Sequence, residues 1–233
     1  MNWCDTHNIP VFDDVCPLCG GAAREISADI RPVFPEEKLL LAIVKGKEPD
    51  HYQNKSVWNI SKWYIVDGKK EEIRIGELNK LSLEDIEAIK KTYDANVDSL
   101  DYEWFETNIS CFVEANKEHF DVINTEAISY IQSYKDRYDI NDMMVSFSGG
   151  KDSTVTSHLV NTAFGTNKII HIFGDTTLEF PTTIEYKKRF NKNEESKGVR
   201  ILTAKNREKN FDDLVKVVGP PSRVILYTSY IKL

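Results

Sequence analysis

Ser148-Gly149-Gly150-Lys151-Asp152-Ser153 collects the residue types needed to handle an anion. Two adjacent glycines have no side chains, so the backbone can take unusual φ values, approach a ligand closely and aim several N–H groups at one point. Lys151 adds a full positive charge, and Ser148 and Ser153 add hydroxyls. Asp152 and Ser153 also suit a helix entrance, whose positive end favours an anion. The chemistry such a loop can do is phosphate binding and, with a nucleotide, phosphoryl or nucleotidyl transfer, which depends mostly on positioning and charge neutralisation. A strand-to-helix turn with capping side chains is the plainer reading, but a mere turn needs neither the glycine pair nor the lysine.

The cysteines form a second group. Cys4, Cys16 and Cys19 cluster near the start, and Cys111 stands apart. With His7 the three give Cys-x2-His, eight residues, then Cys-x2-Cys, and the last pair runs into Gly20-Gly21. That is the spacing of a tetrahedral zinc ribbon, with Asp5 or Asp13 able to stand in for His7. A disulfide is the competing reading, and it leaves one of the three unpaired. Four filled positions leave no place for a substrate, so the zinc is expected to be structural, in a segment too poor in apolar residues to fold unaided. Cys111 is expected to fill a helix core.

The glycine loop is not the common P-loop, because Val145 and Asp152 stand where that motif needs a glycine and a Ser or Thr. Val145 to Thr154 instead resembles the PP-loop of the ATP pyrophosphatase superfamily. Asp175-Thr176-Thr177-Leu178-Glu179-Phe180-Pro181 resembles the second signature of the phosphoadenosine phosphosulfate (PAPS) reductase family within it. The resemblance covers Ser129 to Arg223. It implies a parallel α/β sheet of the adenine nucleotide alpha hydrolase-like type and cleavage of ATP between its α and β phosphates. It further implies that residues 148–153 bind pyrophosphate, that Lys151 neutralises the β and γ phosphates, and that Asp152 or Asp175 helps to hold Mg²⁺. Arg223 would contact a phosphate or sulfate. Asp175 could equally cap a helix.

Within that family the reductases use a cysteine near the C-terminus and have a degraded loop, whereas here no cysteine follows Cys111 and the loop is intact. The resemblance therefore implies an ATP pyrophosphatase that adenylates an acceptor oxygen for sulfur transfer from a donor protein, with DNA phosphorothioation and tRNA thiolation as precedents. The alternatives are a sulfonucleotide reductase with an external thiol, and a noncatalytic nucleotide-binding scaffold. Relatives continue past Gly219-Pro220-Pro221-Ser222-Arg223 with cysteines and more sheet, so the domain is expected to be C-terminally incomplete.

The elements that must position these residues follow from hydrophobic periodicity. Val145 and Phe147 read as a buried strand into the loop, Lys168 to Asp175 as the next strand, and Val199 to Thr203 as a third. Helices are expected from the loop through Val160, over Ile184 to Glu194 and over Phe211 to Val217; alternation of this kind implies a parallel sheet with right-handed crossovers. Upstream, Val57 to Val66 and Lys69 to Ile75 read as strands joined by an Asp67-Gly68 hairpin turn, after a short helix from Glu36 to Val44. Lys62 among Trp58, Trp63 and Tyr64 could stack single-stranded nucleic acid, or the aromatics could be core. Helices are expected from Ser82 onward, from Leu100 to Glu118, and from Thr125 to Tyr138. The expected organisation is a zinc ribbon (1–24), a small β-rich module (25–78), a helical connector (79–124) and the PP-loop domain (125–233).

At 233 residues and 41% hydrophobic content the chain is of globular type. A net charge of −7 argues against indiscriminate coating of nucleic acid. No apolar run has the length of a membrane span and no leader pattern opens the chain, so a soluble cytoplasmic protein is expected. The basic run Lys187, Lys188, Arg189 and Lys192 could face nucleic acid, though a solvated helix face is the plainer reading. Composition leaves oligomeric state open.

Overall fold

The computed structural model describes residues 1–26, 30–72, 80–190, 192 and 198–219. The chain divides into two compact units, Met1–Asp121 and Val122–Leu233.

The first unit opens with β1 (Asn2–Cys4), β2 (Ile9–Val11) and β3 (Arg24–Glu25), an antiparallel sheet in the order β2-β1-β3. A second antiparallel sheet holds β4 (Arg31–Pro32), β5 (Val57–Ile60), β6 (Trp63–Val66) and β7 (Lys69–Glu72) in chain order, with α1 (Pro35–Val44) between β4 and β5. The β6–β7 turn is Asp67-Gly68, as its sequence implies: Val66 pairs with Lys69, and both turn residues have positive φ (+46° and +78°). That backbone matches the twist of the flanking strands and strongly favours glycine at the second place. Trp58 is buried against Phe112 with its ring 4.8 Å away, so it belongs to the core and not to a stacking surface. Lys62 lies over Trp63 and pairs with Glu72 at 3.7 Å. The part of the expected strand beyond Glu72 lies outside the described residues.

Helix α2 (Leu83–Asn96) starts at a capping box in which Ser82 accepts from the Asp85 N–H and Asp85 accepts from the Ser82 N–H. Where one helix from Leu100 to Glu118 and another from Thr125 to Tyr138 were expected, the chain forms α3 (Glu103–Ala115) and α4 (Lys117–Gln132), parted at Asn116. The reason is a side chain. Buried Asn116 accepts from the Phe12 N–H at 2.8 Å and donates to the Pro10 carbonyl at 3.0 Å, which ties the end of α3 to β2. Apolar faces of α3 and the β1–β2 hairpin close over Ile9, Val11, Cys16 and Ala115, with Cys111 half-buried beside them.

The second unit holds β8 (Met144–Ser146), α5 (Lys151–Phe164), β9 (Ile170–Asp175), α6 (Pro181–Phe190), β10 (Ile201–Lys205) and α7 (Phe211–Val218). The three strands are parallel in the order β10-β9-β8, the α/β arrangement expected. Register puts Val145, His171 and Ile201 side by side, and Asp175 beside Lys205. One face is covered: Val145, Phe147, His171 and Phe173 are buried, with Tyr186 and Phe190 of α6 packed on Phe147. On the other face Met144, Ser146 and Leu202 are exposed. Among the described residues no helix is long and apolar enough to cross a membrane.

Candidate functional site

The glycine loop leaves β8 where Phe147 donates its N–H to the Ile172 carbonyl at 2.9 Å, and so still follows the neighbouring strand. It then turns sharply. Gly149 has φ +76°, a left-handed backbone suited to glycine, and a Cβ there would stand 3.3 Å from the Thr183 methyl of α6. Gly150 is the N-cap of α5 and offers no side-chain cap, so the first N–H groups of the helix lack an intrahelical acceptor. Ser153 and Thr154 donate their hydroxyls to the Gly150 carbonyl at 3.0 and 2.9 Å, and Ser148 donates to Ser153 at 3.2 Å, which pins the loop from inside. Lys151 and Asp152 project into solvent, each with a side chain 90% exposed, 3.1 Å from one another. The loop thus presents uncapped amides, two glycines and an unburied cation at a helix N-terminus, an arrangement that fits a phosphate or pyrophosphate.

The second motif lies beside the loop. Besides the Gly149–Thr183 approach, the Thr154 and Tyr186 hydroxyls are 3.0 Å apart. Asp175, at the carboxyl end of β9, accepts from the Thr177 N–H at 2.9 Å and pairs with Lys205 at 3.4 Å; it does not cap α6. Thr177 has φ +69°, unusual for a β-branched residue, and its hydroxyl accepts the Phe211 N–H at 3.0 Å, linking the motif to α7. Thr176 donates to Glu179 at 2.9 Å. Both Asp175 oxygens are therefore engaged, as Asp152 is by Lys151; a Mg²⁺ ion on either carboxylate would take most of its remaining ligands from nucleotide phosphates and water. Arg223 lies outside the described residues.

Sequence reasoning missed a buried pair on the covered face of the sheet. His171 Nε2 is 2.6 Å from the Ser157 hydroxyl, and His171 Nδ1 is 3.0 Å from the Ile169 carbonyl. With Nδ1–H donating to a carbonyl, Nε2 accepts from Ser157, and burial pushes the imidazole pKa down, favouring the neutral ring. Both side chains are sealed from solvent, so the pair fastens α5 to β9 and does no chemistry on a ligand. Its only sequence signal is a histidine inside an apolar strand.

In the first unit, Cys4, His7, Cys16 and Cys19 bring their donor atoms within 4.8 Å of one another, and they are the only such group of His, Cys, Asp and Glu among the described residues. Cys4 Sγ is 3.5 Å from His7 Nδ1 and 3.7 Å from Cys19 Sγ, and Cys16 Sγ is 3.7 Å from His7 Nδ1. Zinc at its usual distances from sulfur and nitrogen sets tetrahedral ligand atoms about 3.5–3.8 Å apart, so the donor set fits the ion; a disulfide would need about 2.05 Å. The backbone is shaped for it. Gly20 has φ +69°, Cys16 donates its N–H to the Gly21 carbonyl at 2.8 Å, and a Cβ on Gly21 would sit 3.3 Å from Cys19 Sγ. The Gly21 N–H lowers the Cys19 pKa, while burial raises that of Cys4 to about 11. A cation at the centre is what would hold both as thiolates. Neither Asp5, which pairs with Arg24 at 3.3 Å, nor Asp13 belongs to the group.

Residues 142–229 match the family model described as the phosphoadenosine phosphosulfate reductase domain. The chain is 33% identical over 170 residues to an uncharacterized protein of Methanocaldococcus jannaschii, a match covering 68% of this chain and 34% of that protein. A second uncharacterized protein of the same organism is 32% identical over 120 residues, covering 49% of this chain and 27% of that protein. The chain thus spans about a third or less of the length of the curated relatives it matches. No solved structure matches it.

Proposed function

We propose, from the membership of residues 142–229 in the phosphoadenosine phosphosulfate reductase domain family and hence in the PP-loop superfamily, that this protein is an ATP pyrophosphatase which adenylates an acceptor oxygen for sulfur transfer. The observation that carries the reading is the loop itself: Gly149 in a left-handed conformation, uncapped amides at the start of α5, and Lys151 free of burial. In this reading the β and γ phosphates lie against those amides and Lys151, which neutralise the charge that builds as the bond between the α phosphorus and its bridging oxygen breaks. The acceptor oxygen attacks the α phosphorus, pyrophosphate departs into the loop, and sulfur from a donor protein then displaces AMP from the adenylated acceptor. Mg²⁺ carried by the phosphates would add charge stabilisation, with Asp152 or Asp175 as its protein ligand. DNA or tRNA is the proposed acceptor. The Cys4, His7, Cys16 and Cys19 group holds structural zinc and takes no part in these steps.

Incubation with ATP, Mg²⁺ and nucleic acid is expected to yield AMP and pyrophosphate, resolved by chromatography. ADP and phosphate in their place would overturn the reading. Lys151→Ala is expected to lower kcat/KM at least about tenfold through loss of a charge-assisted contact. The family's description favours one second reading, reduction of a sulfonucleotide. No cysteine lies within residues 142–229, so the thiol would have to come from outside that segment. Release of sulfite from phosphoadenosine phosphosulfate plus a thiol protein, without ATP, would select it.

A further inference from the structure

The glycine loop follows the carboxyl end of β8, and a cavity lies at the opposite end of the sheet. There the last turn of α5, the turn at 165–168 before β9, and Gly198 before β10 gather at the amino ends of the strands. The cavity measures about 630 Å³, in the range that takes a small organic molecule. His158, Asn161, Thr162, Gly165, Lys168 and Gly198 line it, and no described residue in its wall is acidic.

Two of these side chains are unexplained by the packing. Asn161 is only 8% exposed, and its Oδ1 is buried without a donor. Its Nδ2 also has no acceptor among the described residues, yet it is not sealed. No bond within the fold therefore fixes which way the amide points, so it can turn oxygen or nitrogen toward a ligand. Buried polar side chains are seldom left like this, because they have given up water for nothing. Lys168 supplies charge: its side chain is exposed, and its ammonium has neither an ion pair nor a hydrogen bond among the described residues. His158, also exposed, stands one turn before Thr162 on α5.

A helix C-terminus by itself repels an anion, with about half an elementary negative charge. Here that end is largely answered. The Asn161 and Thr162 carbonyls accept the Thr166 and Gly165 N–H groups at 3.1 and 3.3 Å, and the Ala163 carbonyl accepts from Gln132 Nε2 at 3.1 Å. The full charge on Lys168 outweighs what is left.

We propose that this cavity binds a small polar oxyanion, a metabolite bearing a phosphate or a carboxylate, with Lys168 as its charge partner and the Asn161 amide as the group that orients it. The site is separate from the glycine loop and does not depend on the ATP reading.

Amide-correlation NMR spectra of the full chain, titrated at constant ionic strength with inorganic phosphate and with citrate, test it. Saturable shifts are expected at the Gly165 and Gly198 amides and at the Asn161 side-chain amide with at least one probe. Phosphate alone marks a phosphate-bearing ligand, citrate alone a carboxylate, and both a general oxyanion site. Phosphate held by the glycine loop moves Gly149 and Gly150 instead, so the two places are read apart. Lys168→Ala is expected to weaken binding about fivefold or more, with Lys168→Arg retaining most of the affinity. Asn161→Ala is expected to weaken binding while keeping the native urea midpoint, because its amide holds nothing in the fold. Shifts that never saturate with either probe, native-like affinity in Lys168→Ala, or a response of these residues to Mg²⁺ alone would overturn the proposal. An Asn161→Ala protein that unfolds earlier yet binds normally would make Asn161 a structural residue and remove it from the site.

Discussion

Glu37 and Glu71 show how single residues tie the first unit to pH. Burial alone would raise the pKa of Glu37, but paired bonds from Arg31 at 2.8 Å and one from the Tyr64 hydroxyl at 2.7 Å outweigh it and hold the carboxyl below its ordinary value of 4.5. Lys45 at 2.6 Å and the Tyr52 hydroxyl at 2.8 Å do the same for Glu71. A folded pKa below the unfolded one means that the unfolded chain takes up protons first as pH falls. The stabilisation is therefore complete above the unfolded value and disappears through the folded one. Urea midpoints followed from about pH 5.5 to about 3 should drop, and Glu37→Gln or Glu71→Gln should flatten that slope; an unchanged slope in both variants would contradict the assignment. At this scale the sequence was most informative where one residue type has few uses. The glycine pair with its lysine, and cysteines at ligand spacing, announce anion and metal binding by composition. Lys205 carries no such mark, because its pairing with Asp175 arises only when strand register sets the two side by side.

Secondary-structure elements were legible where a pattern is local, and less so where a distant partner decides. The Asp67-Gly68 turn was readable because positive φ at two successive positions demands those residue types. The break between α3 and α4 was not, since the apolar spacing runs on through position 116 and only a buried bond to Pro10 and Phe12 ends the helix. The same turn also shows an element fixed from outside. A Cβ at Gly68 would fall within 3 Å of the Trp3 indole and of the Arg24 guanidinium, which donates to the Gly68 carbonyl. Strain from φ +78° adds to the clash, so Gly68→Ala is expected to destabilise the first unit by about 2–4 kcal/mol, measured as a fall in the urea midpoint at constant m-value. Gly68→Asn, which tolerates the backbone but not the contact, should be no better than alanine; recovery by asparagine would assign the loss to backbone conformation alone.

For the molecule as a whole, the division into Met1–Asp121 and Val122–Leu233 assigns the Cys/His group to one unit and the glycine loop to the other. Scanning calorimetry should resolve two transitions, and a strong chelator should lower only the one that belongs to the first unit, because metal binding there is folding free energy. ATP affinity, measured below both transitions after the chelator has been dialysed away and Mg²⁺ restored, should survive; its loss would contradict that assignment of the two sites to separate units. The seam between the units falls inside α4, which has five residues before it and eleven after. Isolated helices of such lengths are marginal in water. Any dissection of the gene at that seam therefore produces two fragments with frayed ends, and cuts placed at Asn116 or past Gln132 keep the rod whole on one side.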